Sequence, residues 1–185
     1  MNKAVFLDRD GTINVDTGYL HKKKDFELIP GVIEALAELS KTDFKIIIIT
    51  SQSGIGRGYF TEEDYYNLTE YMLSLMREKG IKIDGMYFCP HHPEKAVGKY
   101  KIVCDCRKPK IGMIECAAAE HDIDLSQSYV IGDKTADIEM GRRAGCKSIL
   151  VKTGKAGEDD EFDIAPYYVG KTLKEAIEKI LIENG

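Results

Sequence analysis

Residues 45–50 read "KIIIIT", four consecutive isoleucines ahead of a threonine. Successive side chains of a strand point to opposite faces, so a run without polar alternation has to be covered on both sides. Isoleucine is β-branched and stiff at χ1, which suits a strand better than a helix. Four residues are also too few to cross a bilayer. A strand buried on both faces calls for helices above and below it, the arrangement of a mostly parallel sheet.

The remaining pattern agrees. Residues 4–7, 86–88, 129–131 and 148–151 are further short apolar runs suited to buried strands. Between them, Val32, Ile33, Leu36 and Leu39 fall at helical spacing after the turn signal Pro30-Gly31. Thr61 followed by Glu62, Glu63 and Asp64 is a helix start, and Tyr65, Leu68, Met72, Leu75 and Met76 continue one face until Gly80. Helices are also expected over residues 112–121 and 135–144, and a last one carries Leu173, Ala176, Ile177, Ile180 and Leu181. Residues 155–163 read as an acidic, mobile connection. The expected fold is a single α/β domain over residues 1–185, three-layered and Rossmann-like, with ligands gathered at the carboxyl ends of the strands.

Composition limits the partners. Thirty-one acidic residues against 26 basic ones leave a formal charge of −5, which argues against a general nucleic-acid binder but not against a local phosphate pocket. The start, "MNKAVFLDRDG", meets charges too soon for a signal peptide. The expectation is a soluble cytoplasmic protein without membrane contact. No coiled coil is visible, so a monomer is the default. In that compartment the five cysteines should be reduced thiols or metal ligands rather than disulfides.

Chemistry-bearing residues recur where an α/β site is built. "FLDRDGT" sets Asp8 and Asp10 after the first strand. Paired carboxylates repel, and a divalent cation relieves the repulsion while recruiting phosphate oxygens; an ordinary solvated turn is the plainer alternative. Thr50 ends the isoleucine strand. "YVIGDKTAD" sets Asp133 at another strand end, with Asp137 one helical turn on, and Lys108 lies in a basic segment between them.

A second cluster is separate. Cys89-x-His91 and Cys104-x-Cys106 are two short-spaced pairs across a loop, suited to a closed tetrahedral zinc site; free thiols or a disulfide are the competing readings. A closed site has no position for water, so such a zinc would brace residues 89–106 and hold the adjacent Arg107 and Lys108 rather than catalyse. Cys116 and Cys146 are expected in the core and His121 at a helix end.

"DRDGT", "TSQSG", Lys108 and "GDKTAD" together resemble the haloacid dehalogenase (HAD) superfamily of phosphohydrolases. That resemblance implies Asp8 as nucleophile, Asp10 as general acid and then base, and Thr50 and Lys108 as holders of the transferring phosphoryl group. It implies Mg²⁺ on Asp8, the backbone carbonyl of Asp10, and Asp133. Asp137 would order a metal water or Lys134, or simply sit on a helix surface.

"DRDGTINVDTGYLHKKKDFELIPG", "TSQSGIGRGYFT", "CPHHP", "CDCRKPKIGM", "GDKTAD" and "VKTGK" narrow the resemblance to the D-glycero-D-manno-heptose 1,7-bisphosphate 7-phosphatases of nucleotide-activated heptose and lipopolysaccharide synthesis. It extends over nearly the whole chain, Glu158 onward contributing little. By that family's pattern Cys89, His91, Cys104 and Cys106 bind zinc, and His92 does not. Substrate contacts would fall on Asp16, Thr17, Gly18, Tyr19, Thr50, Ser51, Gln52, Ser53, Arg107, Lys108 and Lys134. Ser51 stands where the family usually has Asn, which bears on substrate positioning.

The spacing leaves no room for a large cap domain, so the zinc loop and the segment after Asp10 would shape the pocket. Histidinol-phosphate phosphatases share the aspartates and a similar loop. "SGIGRGYFT" and "CDCRKP" favour the heptose branch, and Arg107 would repel a cationic amine. Arg57 could meet an anionic substrate or lie on the surface; residues 21–24, "HKKK", could stand at the site mouth and attract the second phosphate, with a solvated loop face as the default. The rival classes are a non-catalytic zinc-loop binding module and a phospho-accepting signalling domain.

Overall fold

The computed structural model describes residues 1–185. Its strands are β1 (Lys3–Leu7), β2 (Phe44–Ser51), β3 (Gly85–Cys89), β4 (Tyr129–Gly132), β5 (Lys147–Val151) and β6 (Tyr168–Gly170). They form one sheet in the order β3-β2-β1-β4-β5-β6, and every pairing is parallel. The helices are α1 (Val32–Leu39), the single turn α2 (Ser53–Gly56), α3 (Glu62–Glu78), α4 (Gly112–His121), α5 (Thr135–Ala144) and α6 (Leu173–Asn184).

The isoleucine run divides between the two layers. Ile46 and Ile48, with Val5, Leu7 and Ile131, pack against α1, α6 and Met72 and Met76 of α3. Ile47 and Ile49, with Ala4, Phe6 and Val130, pack against Met113, Ile114 and Ala117 of α4 and Met140 of α5. All four are at most 1% exposed, and burying each contributes about 1.5–3 kcal/mol. A polar residue anywhere in residues 46–49 would therefore break one helix–sheet layer.

β1 pairs with β2 on one side and β4 on the other, with register partners Leu7↔Ile48 and Leu7↔Ile131. The strand order reverses direction there, and the adjacent carboxyl ends open a crevice. Asp8, Thr50 and Asp133 all stand at that edge. Residues 8–31 and 90–111 leave it as long excursions without forming a cap domain. No helix is long and apolar enough to cross a membrane.

α3 starts at Thr61 as its sequence predicts. The Thr61 hydroxyl accepts from the Asp64 amide at 3.1 Å, and the Asp64 carboxylate accepts from the Thr61 amide at 2.8 Å.

Two expectations are corrected, and one strand is new. Cys116 is exposed on α4 rather than in the core, although Cys146 is buried. Residues 155–163 are not a free connection: the Lys155 and Gly157 amides and the Asp159 carboxylate are bonded to the turn between β4 and α5 and the start of α5. The short edge strand β6 has no counterpart in the sequence reading, because only Gly170 of its three residues is buried.

Candidate active site

The crevice is a cleft of about 350 Å³ lined mainly by charged and polar residues. It gathers Asp8, Asp10, Asp16, Gly18, Tyr19, Ser51, Gln52, Ser53, Arg107, Lys108 and Lys134 from segments far apart in the chain. Thr17 is exposed and off the cleft, while Thr50 and Asp133 lie buried beneath its floor. Arg57, Gly54, Asp137 and Glu161 also line it.

A chain of buried charges forms part of the cleft wall. The Lys108 ammonium donates to Asp8 Oδ1 and to Asp137 Oδ1, each at 2.7 Å. Burial pushes the Asp8 carboxyl up, but Lys108 and Lys134 outweigh it and hold the group below its ordinary range. Burial likewise works against the Lys108 charge, yet Asp137 and Asp8 raise that lysine overall. Asp8 is therefore a buried but ionised carboxylate beside a fixed cation.

Asp133 has no such partner. Burial first, and then the charges of Asp8 and Asp137, push its carboxyl up to about 8. Its Oδ2 accepts from the Lys155 amide at 2.6 Å, while its Oδ1 is buried with no hydrogen-bond partner. Carboxylate oxygens of Asp8, Asp133 and Asp137 lie within 4.8 Å of one another. An orphaned oxygen amid that negative charge fits a hard divalent cation. Gly11 is required there: its φ is +90°, and a Cβ would overlap the Asp133 carboxylate.

Asp137 is 1% exposed, so the helix-surface reading fails. Besides Lys108, it accepts from the backbone amide of Lys134 at 3.1 Å, closing the first turn of α5. It thus anchors the Lys108 ammonium and orders the backbone of Lys134, not its side chain. The Lys134 ammonium stands 3.6 Å from Asp16.

The Asp10 carboxylate turns away from the acidic group. It accepts from Arg9 Nη2 at 2.9 Å, Asn14 Nδ2 at 3.0 Å and Gln52 Nε2 at 2.9 Å. Gln52 also donates to the Thr50 hydroxyl at 2.8 Å, linking the ends of β1 and β2. Arg9 and Asn14 escaped the sequence reading. Arg9, wholly buried between the two aspartates of "DRDGT", carried the only available signal, since a buried guanidinium requires an anion.

The second cluster lies where the loop after β3 meets the approach to α4. Cys89 Sγ is 3.6 Å from Cys104 Sγ and 3.8 Å from His91 Nδ1; Cys106 Sγ is 3.4 Å from Cys104 Sγ and 3.3 Å from His91 Nδ1. A tetrahedral zinc site has ligand–ligand edges of about 3.8 Å between sulfurs and about 3.6 Å from sulfur to nitrogen. The donor set and its spacing fit zinc. His92 faces elsewhere, its Nδ1 accepting from the amides of Glu94 at 3.2 Å and Lys95 at 3.0 Å. Next to the cluster, Arg107 reaches the His91 carbonyl at 3.5 Å, which sets the loop against the cleft. Residues 21–24 stay off the cleft, with His21 stacked on Phe60.

A parallel sheet with acids and a buried lysine at its switch point defines a HAD-like phosphatase. Residues 105–176 match the Hydrolase_like family model, described as HAD-hydrolase-like. A D-glycero-beta-D-manno-heptose-1,7-bisphosphate 7-phosphatase of Haemophilus influenzae is 49% identical over 90% of this chain and 91% of that one. The enzyme of that name from Escherichia coli K12 is 48% identical over 82% of this chain and 80% of that one. The crystal structure of a D,D-heptose 1,7-bisphosphate phosphatase from B. bronchiseptica, complexed with magnesium and phosphate, superposes with a TM-score of 0.87 at 30% identity, covering 98% of this chain and 99% of that one. The chain belongs to the heptose-bisphosphate phosphatase family of HAD-like hydrolases.

Proposed function

We propose that this phosphatase removes the 7-phosphate of D-glycero-β-D-manno-heptose 1,7-bisphosphate, with Asp8 as nucleophile. The observation that carries the reading is the buried Asp8–Lys108–Asp137 chain in the wall of a polar cleft, in a chain half identical to enzymes of that name. Asp8 is kept ionised by Lys108 and Lys134, as a nucleophile requires.

An Asp8 oxygen attacks phosphorus, and the bond from phosphorus to the sugar oxygen breaks. Asp10, the cleft-lining acid nearest Asp8 in sequence, protonates the departing oxygen. In the second half a water attacks the phosphorus of the aspartyl-phosphate, Asp10 takes its proton, and phosphate leaves with Asp8 restored. Lys108 and the Thr50 hydroxyl hold the transferring group, whose negative charge spreads over its equatorial oxygens. Lys134, Arg107, Ser51, Gln52 and Ser53 line the space left for the sugar and its second phosphate.

Asp8, the Asp10 backbone carbonyl and Asp133 would hold Mg²⁺, which supplies charge neutralisation at the phosphoryl oxygens. Cys89, His91, Cys104 and Cys106 would hold a structural Zn²⁺ that fixes Arg107 and Lys108 at the cleft. The reading has the enzyme acting as a cytoplasmic monomer, where its thiols stay reduced.

Parallel kinetics on both anomers of the heptose bisphosphate and on histidinol phosphate, with Mg²⁺ supplied, test it. The β anomer should give the highest kcat/KM. Efficient histidinol-phosphate turnover with no heptose-bisphosphate turnover would overturn the substrate.

A further inference from the structure

Residues 152–161 follow β5 and cross the turn between β4 and α5. Their own conformational preference does not explain that path. Gly154, Ala156, Gly157 and Asp160 all have positive φ, at 65°, 56°, 78° and 48°. For the two residues with side chains this costs about 1–2 kcal/mol each, so the path must be imposed from outside.

Polar stitches impose it. The Thr153 hydroxyl donates to the Gly11 carbonyl at 2.6 Å. The amides of Lys155 and Gly157 donate to Asp133, the first to carboxylate Oδ2 at 2.6 Å and the second to the carbonyl at 2.8 Å. Gly154 approaches so closely that a Cβ there would overlap the same carboxylate. The far end is closed by Asp159, the one side chain of residues 154–161 that bonds to the rest of the molecule. Its carboxylate accepts from the Thr135 amide at 2.9 Å and from the Thr135 hydroxyl at 2.6 Å. Thr135 is 2% exposed and opens α5, two residues after Asp133. An anion there meets both a free helix amide and the positive end of the helix dipole.

We infer that Asp159 is a positioning residue: it latches the strap over the β4–α5 turn, and the strap's amides aim the Asp133 carboxylate at the divalent cation. With Oδ2 taken by Lys155, the buried Oδ1 has no hydrogen-bond partner and is the oxygen left for a cation, in a carboxylate that lies within ligand reach of Asp8 and Asp137. Releasing the latch lets the strained strap relax, removes the Lys155 amide, and frees the Asp133 carboxylate to rotate. The inference rests on the Mg²⁺ site proposed above. Outer partners that orient a ligating group typically change metal affinity by about 10–100-fold when removed.

Calorimetric titration of Mg²⁺ into zinc-loaded, magnesium-free protein tests it. Asp159→Ala should raise the Mg²⁺ dissociation constant about tenfold, with kcat at saturating Mg²⁺ within about twofold of the parent. Asp159→Asn, whose amide oxygen still accepts, should shift it less. An unchanged dissociation constant in Asp159→Ala, with melting lowered equally in the presence and absence of Mg²⁺, would leave a helix cap and nothing more, and overturn the latch. Thr135→Val deletes only the hydroxyl arm and covers the case of an unfolded Asp159→Ala; it should give a smaller rise, and no rise there overturns the latch too. A parent protein that binds no Mg²⁺ would remove the metal reading itself, an outcome separate from a parent that binds and a variant that binds equally well.

Discussion

The two clusters of ligating side chains are held by opposite means. Asp8 and Asp133 stand at the ends of adjacent central strands, and Lys108 neutralises part of the charge. The sheet would keep those carboxylates together without any ion. Cys89 alone of the other cluster belongs to a strand; His91, Cys104 and Cys106 sit in a loop whose Val103 is 77% exposed and Ile102 44%. That loop has little apolar surface to bury, so packing alone does little to hold its four candidate ligands together. On the function proposed above, one region receives a cation and the other is a fold element that a cation completes.

The sharpest break in that comparison is Asp8→Asn. It should lower kcat by about 10⁴-fold, since it removes the proposed nucleophile. The melting temperature should fall modestly, because Lys108 loses one of its two buried carboxylate partners and keeps Asp137. Normal turnover would overturn the nucleophile assignment.

Cys104→Ser, or zinc removal by chelation, should act the other way round. Loss of a structural zinc ligand is expected to lower the melting temperature by roughly 5–10 °C, a few kcal/mol for a chain of this size. kcat/KM should fall about tenfold through KM, as Arg107 and Lys108 lose their support. The far-ultraviolet dichroism should stay near normal, because the sheet packs without the loop. Unchanged melting and kinetics together would refute the bracing role.

The same contrast explains what could be read from the sequence. Residues 46–49 announced a strand buried on both faces, and their side chains divide two and two between the helical layers. Asp8, Asp10, Asp133 and the cysteine pairs were legible as chemistry because their spacing is local. Their partners were not. Arg9 and Asn14 on Asp10 and the Lys155 amide on Asp133 depend on how the chain returns in space. Residues 155–163 looked mobile because an acidic stretch without periodicity shows nothing of the donors waiting at Thr135. Cys116 was misplaced because α4 carries alanines on several faces, so its apolar composition does not say which face is inward.

A pH series separates the acid cluster from the rest. In metal-free protein Asp133 has a folded-state value raised from 3.8 to about 8. Between those values the native state keeps a proton that the unfolded chain has lost, so this group's contribution to stability falls as pH rises, by at most about 1.4 kcal/mol per pH unit. Mg²⁺ needs the ionised form and competes with that proton. The melting-temperature increment from Mg²⁺ should therefore grow from pH 5 to pH 8. An increment constant across that range would mean that Asp133 is already ionised without the ion.

The smallest effect belongs to the exposed one of the two cysteines outside both clusters. Cys116 is exposed, whereas Cys146 is buried with its thiol pushed up to about 12 by burial. In zinc-loaded native protein a thiol reagent should find one fast group, Cys116. Cys146 should react only on unfolding, and the three loop thiols should react as zinc leaves. Cys116→Ser should delete the fast phase while changing stability by less than about 0.5 kcal/mol and leaving turnover and zinc content as they were. Two or more fast thiols in the zinc-loaded parent would mean that the loop sulfurs are not engaged, and the division between a receiving site and an ion-completed loop would fail at its second half.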